Sequence, residues 1–198
     1  MKFPLGSALI AALLLAAAPA AAAPATGLMD LVRDKYEVML DTVRTNPDKE
    51  AMRASLRKVM DTFVDYDELG KRTLSGHWDK LKPKQRQSFV AEFKQMIQRT
   101  YIRRFDGDRE FTIEYLNEPQ VDPAGIAVVE SIIRAGRSEA RVDYAFHRKG
   151  KTWMAHDVVI DEVSMVRNYR KQFNDIIGKD GFDGLMARLV KRNKEQAE

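Results

Sequence analysis

From Leu28 to Phe105 apolar residues recur every three or four positions, the spacing that draws one stripe along a helix. Leu28, Leu31, Val32, Tyr36, Met39, Leu40 and Val43 mark a first helix, stopped around Asn46-Pro47, and Leu56, Val59, Met60 and Phe63 mark a second. A short third helix is expected from Tyr66 to Leu74, ending near Ser75-Gly76. The fourth is the most regular. Pro83 suits a first helical position, Phe89, Val90, Phe93, Ile97, Tyr101 and Phe105 share one face, and Lys94, Gln95, Gln98 and Arg103 fall on the other.

After Gly107 the period becomes two. Phe111, Ile113 and Tyr115 alternate in EFTIEYL, GIAVVESIIRA is a β-rich run after the turn at Asp122-Pro123, and Ala140, Val142, Tyr144 and Phe146 alternate with Arg141, Asp143 and His147. A Gly-containing hairpin turn within Arg148 to Lys151 precedes a last strand from Thr152. Met165, Val166, Tyr169, Phe173, Ile176 and Ile177 restore the helical rhythm up to a cap at Gly178, and Phe182, Leu185, Met186, Leu189 and Val190 make a last short helix. Helices, then a meander, then helices predict an α+β fold: a twisted antiparallel sheet of four strands, five at most, with helices packed on one face. Such a sheet ordinarily wets its other face. In the last strand, however, Val158, Val159 and Ile160 are consecutive, so apolar groups leave both faces.

The first residues stand outside this scheme. Lys2, an apolar run from about Leu5 to Ala18, and an Ala-rich tail have the layout of a secretory signal, with cleavage after Ala20 or Ala22. Residues 1–22 are therefore read as a cleaved signal peptide and 23–198 as one domain. The chain has no cysteine, which excludes disulfides, thiolate metal sites, a cysteine nucleophile and lipid attachment at an amino-terminal Cys. Export without a disulfide or a lipid anchor fits a soluble protein of an envelope compartment. With Lys2 removed from its 33 lysines and arginines, the domain exceeds its 29 acids by three charges, and interspersed signs of that kind make a solvated surface rather than a nucleic-acid footprint.

Catalytic constellations are missing. His77, His147 and His156 are the only histidines. If the hairpin places His147 opposite Thr152 and His156 opposite Asp143, the two strand histidines stay apart and form neither a metal site nor an acid/base pair. Ser164, between a strand and a helix, superficially resembles a nucleophile elbow, but DEVSM lacks the glycines of that turn, so Ser164 is read as an N-cap. The pairs Asp65/Asp67 and Asp161/Glu162 fit helix caps and solvated turns better than acid/base work. No enzyme activity, metal or cofactor is expected.

Trp153 to Leu189, with HDVVIDEVSMVRNYRKQFNDIIGKDGFDGLMARL at its heart, resembles the carboxy-terminal part of the MlaC, or toluene-tolerance, family of periplasmic phospholipid-binding proteins, and LSGHWDKLKPKQRQSFVAEFKQMIQRTY resembles that family's central helix pair. Family members often carry Gly where this chain has Glu162, and an aromatic where it has His77. The first difference implies that a left-handed backbone is not obligatory at that bend, and the second sets His77 apart from a pocket. The resemblance implies a carrier that takes phospholipid from an outer-membrane lipoprotein–porin complex to an inner-membrane ABC transporter with an MCE-domain subunit, so maintaining outer-membrane asymmetry. A shuttle that hands over cargo is most simply a monomer. The acyl chains would lie in an apolar cavity between sheet and helices. Through the resemblance, Phe93, Ile97, Tyr101, Ala140, Val142, Tyr144, Val158, Ile160, Val163, Tyr169 and Phe173 become the candidate lipid contacts, with Met96, Met154 and Met165 as adaptable lining. Arg103, Arg104 and Arg170 are candidates for the phosphate, though solvated charges are the plainer reading. Carriage of another envelope lipid, a hopanoid or fatty acid, an enzyme of the ketosteroid-isomerase kind, and a non-catalytic envelope adaptor are the rival functions.

Overall fold

The computed structural model describes residues 23–105 and 111–196, Arg104 by its backbone only, so the proposed signal at 1–22 lies outside the described residues. The helical half follows the apolar stripes closely: α1 is Leu28–Thr45, α2 Lys49–Asp61, α3 Tyr66–Leu74 and α4 Pro83–Ile102, with 3₁₀ turns at Ser75–Lys80 and Arg103–Phe105. Asp48 and Asp65 cap α2 and α3 through the amides of Ala51 and Glu68, and Ser164 caps the last helix through Arg167 N at 3.1 Å, as a short oxygen-bearing side chain does at a helix start. That helix, α5, runs Met165–Glu195 and is broken at Gly181, whose φ of 70° with ψ of −178° is open to glycine alone. The break therefore falls three residues after the expected cap at Gly178.

Among the described residues seven strands form one antiparallel sheet: β1 Ala23–Pro24, β2 Phe111–Tyr115, β3 Gln120–Val121, β4 Ile126–Ala135, β5 Ser138–Lys149, β6 Thr152–Ile160 and β7 Val163–Ser164. Their order is β1-β3-β4-β5-β6-β7, and β2 pairs with β4 beyond the end of β3. The expected meander is β2, β4, β5 and β6; the three extra strands are two-residue edge pairings that carry no alternating pattern of their own. The outer face is wet and charged, with Arg134 bridging Glu114 and Glu139, and Arg141 bridging Glu130 and Asp143. On the inner face Ile113, Ile133, Ala140, Val142, Tyr144, Phe146, Val158 and Ile160 face the helices, and Val159 lies on the opposite side.

Register corrects the expectation for the histidines. The β5–β6 loop is only Gly150-Lys151, with Gly150 at φ 64°, where a II′ turn places Gly, so Lys149 pairs with Thr152 and His147 with Met154. The register then shifts by one between Ala145 and Phe146, leaving His156 as the extra residue of a β-bulge. Those two effects bring the imidazoles together, edge to face, with centroids 5.3 Å apart.

A second correction concerns the β6–β7 turn. Asp161 and Glu162 both hold positive φ, 45° and 67°, because a two-residue loop between Ile160 and Val163 needs left-handed backbone to match strand twist. The left-handed conformation is thus required there even without Gly. Asp161 is held by accepting from Arg141 N at 3.0 Å and donating its own amide to Arg141 O at 3.0 Å. Glu162→Gly is expected to raise the unfolding free energy by about 0.5–1 kcal/mol, since Gly adopts this conformation without the Cβ clash. Urea denaturation of the two proteins checks it.

Candidate functional site

The stripe on α4 divides between two environments. Its amino-terminal part packs solidly: Phe89 stacks on Phe93 at 5.4 Å, and Phe93 meets Tyr169 and Phe173 edge-on at 5.3 and 5.4 Å. Tyr66, Leu69, Leu74, Met96, Leu185 and Leu189 complete that core among α3, α4 and α5. Its carboxy-terminal part, Ile97 and Tyr101, with Phe105 in the 3₁₀ turn beyond, lines a cavity of about 300 Å³.

The other walls come from the inner face of the sheet, from Leu31, Val32, Tyr36 and Met39 on α1, and from the Met60–Val64 segment with Leu69. Small side chains help keep the space open: Ala140 lines it, and on the sheet beside it the fully buried Ser131 turns its hydroxyl to Val142 O at 2.6 Å. A void this large in a core costs on the order of 7 kcal/mol by the scale for engineered apolar cavities, comparable to a whole domain's net stability. It is too large for a packing defect and has the size of a small-molecule pocket.

Of the candidate lipid contacts, Ile97, Tyr101, Ala140, Val142, Tyr144, Val158 and Ile160 all line this cavity. Phe93, Tyr169 and Phe173 do not, because α5 lies against α4 and fills the space around them with rings. Val163 does not either: it sits in the last tight turn pair, 59% exposed. Met165 lines the cavity, whereas Met96 is locked in the helical core and Met154 lies outside the lining; Met39 and Met60 take the adaptable role instead. Arg170 donates to Arg72 O at 2.7 and 3.0 Å and Arg103 to Gln196 O, so both serve helix ends, and the Arg104 side chain lies outside the described residues. His77 stands in the 3₁₀ turn, away from the lining. The α1 wall was visible in the sequence as an apolar stripe, but nothing in a stripe distinguishes a wall from a core.

The lining is almost uncharged. Burial raises the hydroxyl pKa of Tyr144, with Tyr115, Tyr36 and Asp143 adding to it, and Tyr115 beside it is pushed up to about 12, so both stay neutral. Asp157 is occupied at the start of α5, accepting from Ser164 Oγ at 2.5 Å and Val166 N at 3.0 Å, where a carboxylate suits the helix dipole. Lys35 is the one cation of the lining among the described residues.

His156, 4% exposed, lines the cavity with its Nδ1 buried and unpartnered among the described residues. Burial, then the charges of Arg72 and His147, push its pKa down to about 4. Behind it, Asp65, 3% exposed, accepts from Lys149 Nζ at 3.0 Å and contacts His147 Nε2 at 3.2 Å. Burial works to raise the Asp65 pKa, but the hydrogen bonds from Lys149 and Glu68 N and the nearby positive charges outweigh it and hold it below the ordinary range.

The MlaC protein family model matches residues 33–191. The chain belongs to the MlaC family. Among curated proteins it is 23% identical over 168 residues to the intermembrane phospholipid transport system binding protein MlaC of Haemophilus influenzae, covering 82% of this chain and 78% of that one. Among solved structures it matches, with a TM-score of 0.78 and 22% identity, a phospholipid-binding protein from Ralstonia solanacearum determined with a phospholipid, covering 85% of this chain and 98% of that one. The fold of this MlaC family member is therefore that of the Ralstonia protein, with the cavity between its two layers. No helix among the described residues is long and apolar enough to cross a membrane.

Both buried groups make stability fall with acid. The depressed His156 binds fewer protons folded than unfolded between its ordinary 6.5 and about 4, so stability present above that window is lost as pH falls through it. Asp65 adds a further loss below the ordinary carboxylate value of 3.8. Unfolding free energy is expected to drop by about 2 kcal/mol from His156 alone between about pH 7.5 and about pH 5. His156→Leu should flatten that slope, as read from urea titrations at both pH values.

Proposed function

We propose that this chain is a non-catalytic periplasmic carrier that holds the acyl chains of a phospholipid in the cavity, keeps the headgroup at the surface, and moves it between membranes. The observation that carries the reading is the cavity itself: hydrocarbon on every wall, between a helical layer and the inner face of a sheet. Two acyl chains of roughly 30 methylenes cost on the order of 25 kcal/mol to expose to water at about 0.8 kcal/mol per CH₂. A lipid crosses an aqueous gap only if that surface stays sheathed, and an apolar, neutral lining supplies the sheath. Three methionines, Met39, Met60 and Met165, give it walls that adapt to different tails. Lys35 is placed to meet an anionic headgroup from the α1 wall.

The relatives support the same cargo. The Ralstonia protein was solved with a phospholipid, and the Haemophilus protein is named for intermembrane phospholipid transport. Extended to this chain, the partners are an outer-membrane lipoprotein–porin complex on one side and an inner-membrane ABC transporter with an MCE-domain subunit on the other. A carrier that surrenders cargo to each in turn works as a monomer with no cofactor.

Native mass spectrometry of the mature protein, purified without detergent, tests the reading. About one phospholipid per chain is expected, identified after denaturing extraction. A hopanoid or fatty acid mass would change the cargo, and a bare polypeptide that stays bare with liposomes would overturn carriage in favour of an adaptor. Ala140→Trp, which places an indole in the cavity, should fold and lose the lipid, whereas Val163→Trp, at an exposed turn, should keep it. Lipid retained by a folded Ala140→Trp protein would place the cargo elsewhere.

A further inference from the structure

The opposite side of α4 carries a second cavity of different chemistry. Arg53 and Arg57 on α2, and Arg99 on the last turn of α4 with Arg103 at the start of the 3₁₀ turn that follows, are each spaced by four, and together they line a cleft of about 480 Å³. Among the described residues Glu50 is its only carboxylate, and it pairs with Arg53. The nearby acids are already engaged: Asp61 by Lys94 at 2.7 Å and Gln98 at 2.7 Å, and Glu92 by Asn193 at 2.7 Å. Arg57, Arg99 and Arg103 bring three further guanidiniums into one concave site, where like charges repel one another and a negative group is favoured.

Protein contacts account for part of this charge. Arg99 donates to Asn193 O and Arg103 to Gln196 O, at the carboxy-terminal end of α5 where carbonyls lack helical partners. One carbonyl uses one of the five donors of a guanidinium, which leaves the planar forks open. Arg57 has no side-chain partner among the described residues, yet it is half-buried in the same cleft. Gln196 Oε1, also in the cleft, is a buried acceptor with no partner among the described residues, a position for the hydroxyl of a protonated oxyanion.

We propose that this cleft is a second binding site, for a phosphate group. Guanidinium forks match the oxygens of a phosphate in pairs, and the volume exceeds that of the bare ion, leaving room for an esterified group. Free phosphate and the phosphate of a lipid headgroup share this chemistry. The inference does not rest on the lipid-carrier reading, because none of the four arginines lines the apolar cavity.

The experiment uses the mature full chain at fixed ionic strength. Inorganic phosphate is titrated by calorimetry, and flotation is measured with vesicles of phosphatidylcholine alone and with added phosphatidylglycerol. Saturable binding of phosphate assigns the free ion, and binding only of phosphatidylglycerol vesicles assigns the headgroup; either supports the site. Arg57→Gln is expected to weaken that binding about tenfold or more, the scale of a lost charge-assisted hydrogen bond, with melting temperature and bound lipid unchanged. Lys58→Gln, exposed on α2 outside the cleft, should leave it nearly unaffected. No saturable binding of either probe, wild-type affinity in Arg57→Gln, or an equal loss in Lys58→Gln would overturn the proposal.

Discussion

The helical layer is tied to the sheet at a few points along its margin, and the cavity exists because those ties hold the layers without filling the space between them. The tightest is at β6, where Ala155 N donates to Phe63 O at 2.7 Å and accepts at its carbonyl from Asp65 N at 2.8 Å. Asp65 then reaches across to Lys149 and His147 on β5, a buried carboxylate with two basic partners. Removing either partner of such a site leaves a buried charge uncompensated, so the attachment is stiff. The start of α5 is fixed in the same manner through Ser164, Asp157 and Val166 N. On the far side α1 is hung from Trp153 Nε1, which donates to Thr26 O at 3.1 Å, and from Tyr36 Oη, which donates to Phe111 O at 3.1 Å.

Between these ties the packing is uneven. The rings of Phe89, Phe93, Tyr169 and Phe173 interlock and bind α3, α4 and α5 into a solid block that needs no ligand. The second half of α4 buries Ile102 against Met52 and Leu56 of α2, while its Ile97 and Tyr101 line the cavity. The stability of the helical block offsets the cost of the void. A protein built in this way folds around its own aromatic core and leaves an apolar surface lining the cavity.

Two sides of one helix thereby take opposite chemistries. Ile97 and Tyr101 present hydrocarbon to the cavity, and Arg99 and Arg103, two residues further along in each case, present guanidinium to the cleft. The helical rotation of 100° per residue separates them without any break in the backbone. The outer face of the sheet adds a third surface, a lattice of Arg134, Arg141, Glu114, Glu130 and Glu139 that keeps the wet side of the strands charged.

The sequence by itself determined the elements and their faces. The three-and-four spacing placed α1, α3 and α4 closely, though α2 begins at Lys49, seven residues before its first marked apolar residue. Ser164 and Asp65 were legible as caps, and the alternation in β5 named Ala140, Val142 and Tyr144 as inward-facing. Local geometry alone decides those features, because helix and strand periods are backbone properties. Only the tertiary structure decided which inward-facing residues meet a neighbour and which meet a void. Phe93 and Ile97 stand one turn apart on one stripe and share one core cluster, yet only Ile97 also lines the cavity. Likewise one bulge and a two-residue turn, invisible as hydrophobic pattern, brought His147 against His156 and placed His156 in the cavity wall. Core and cavity use the same side chains, and what separates them is the position of other elements distant in the chain.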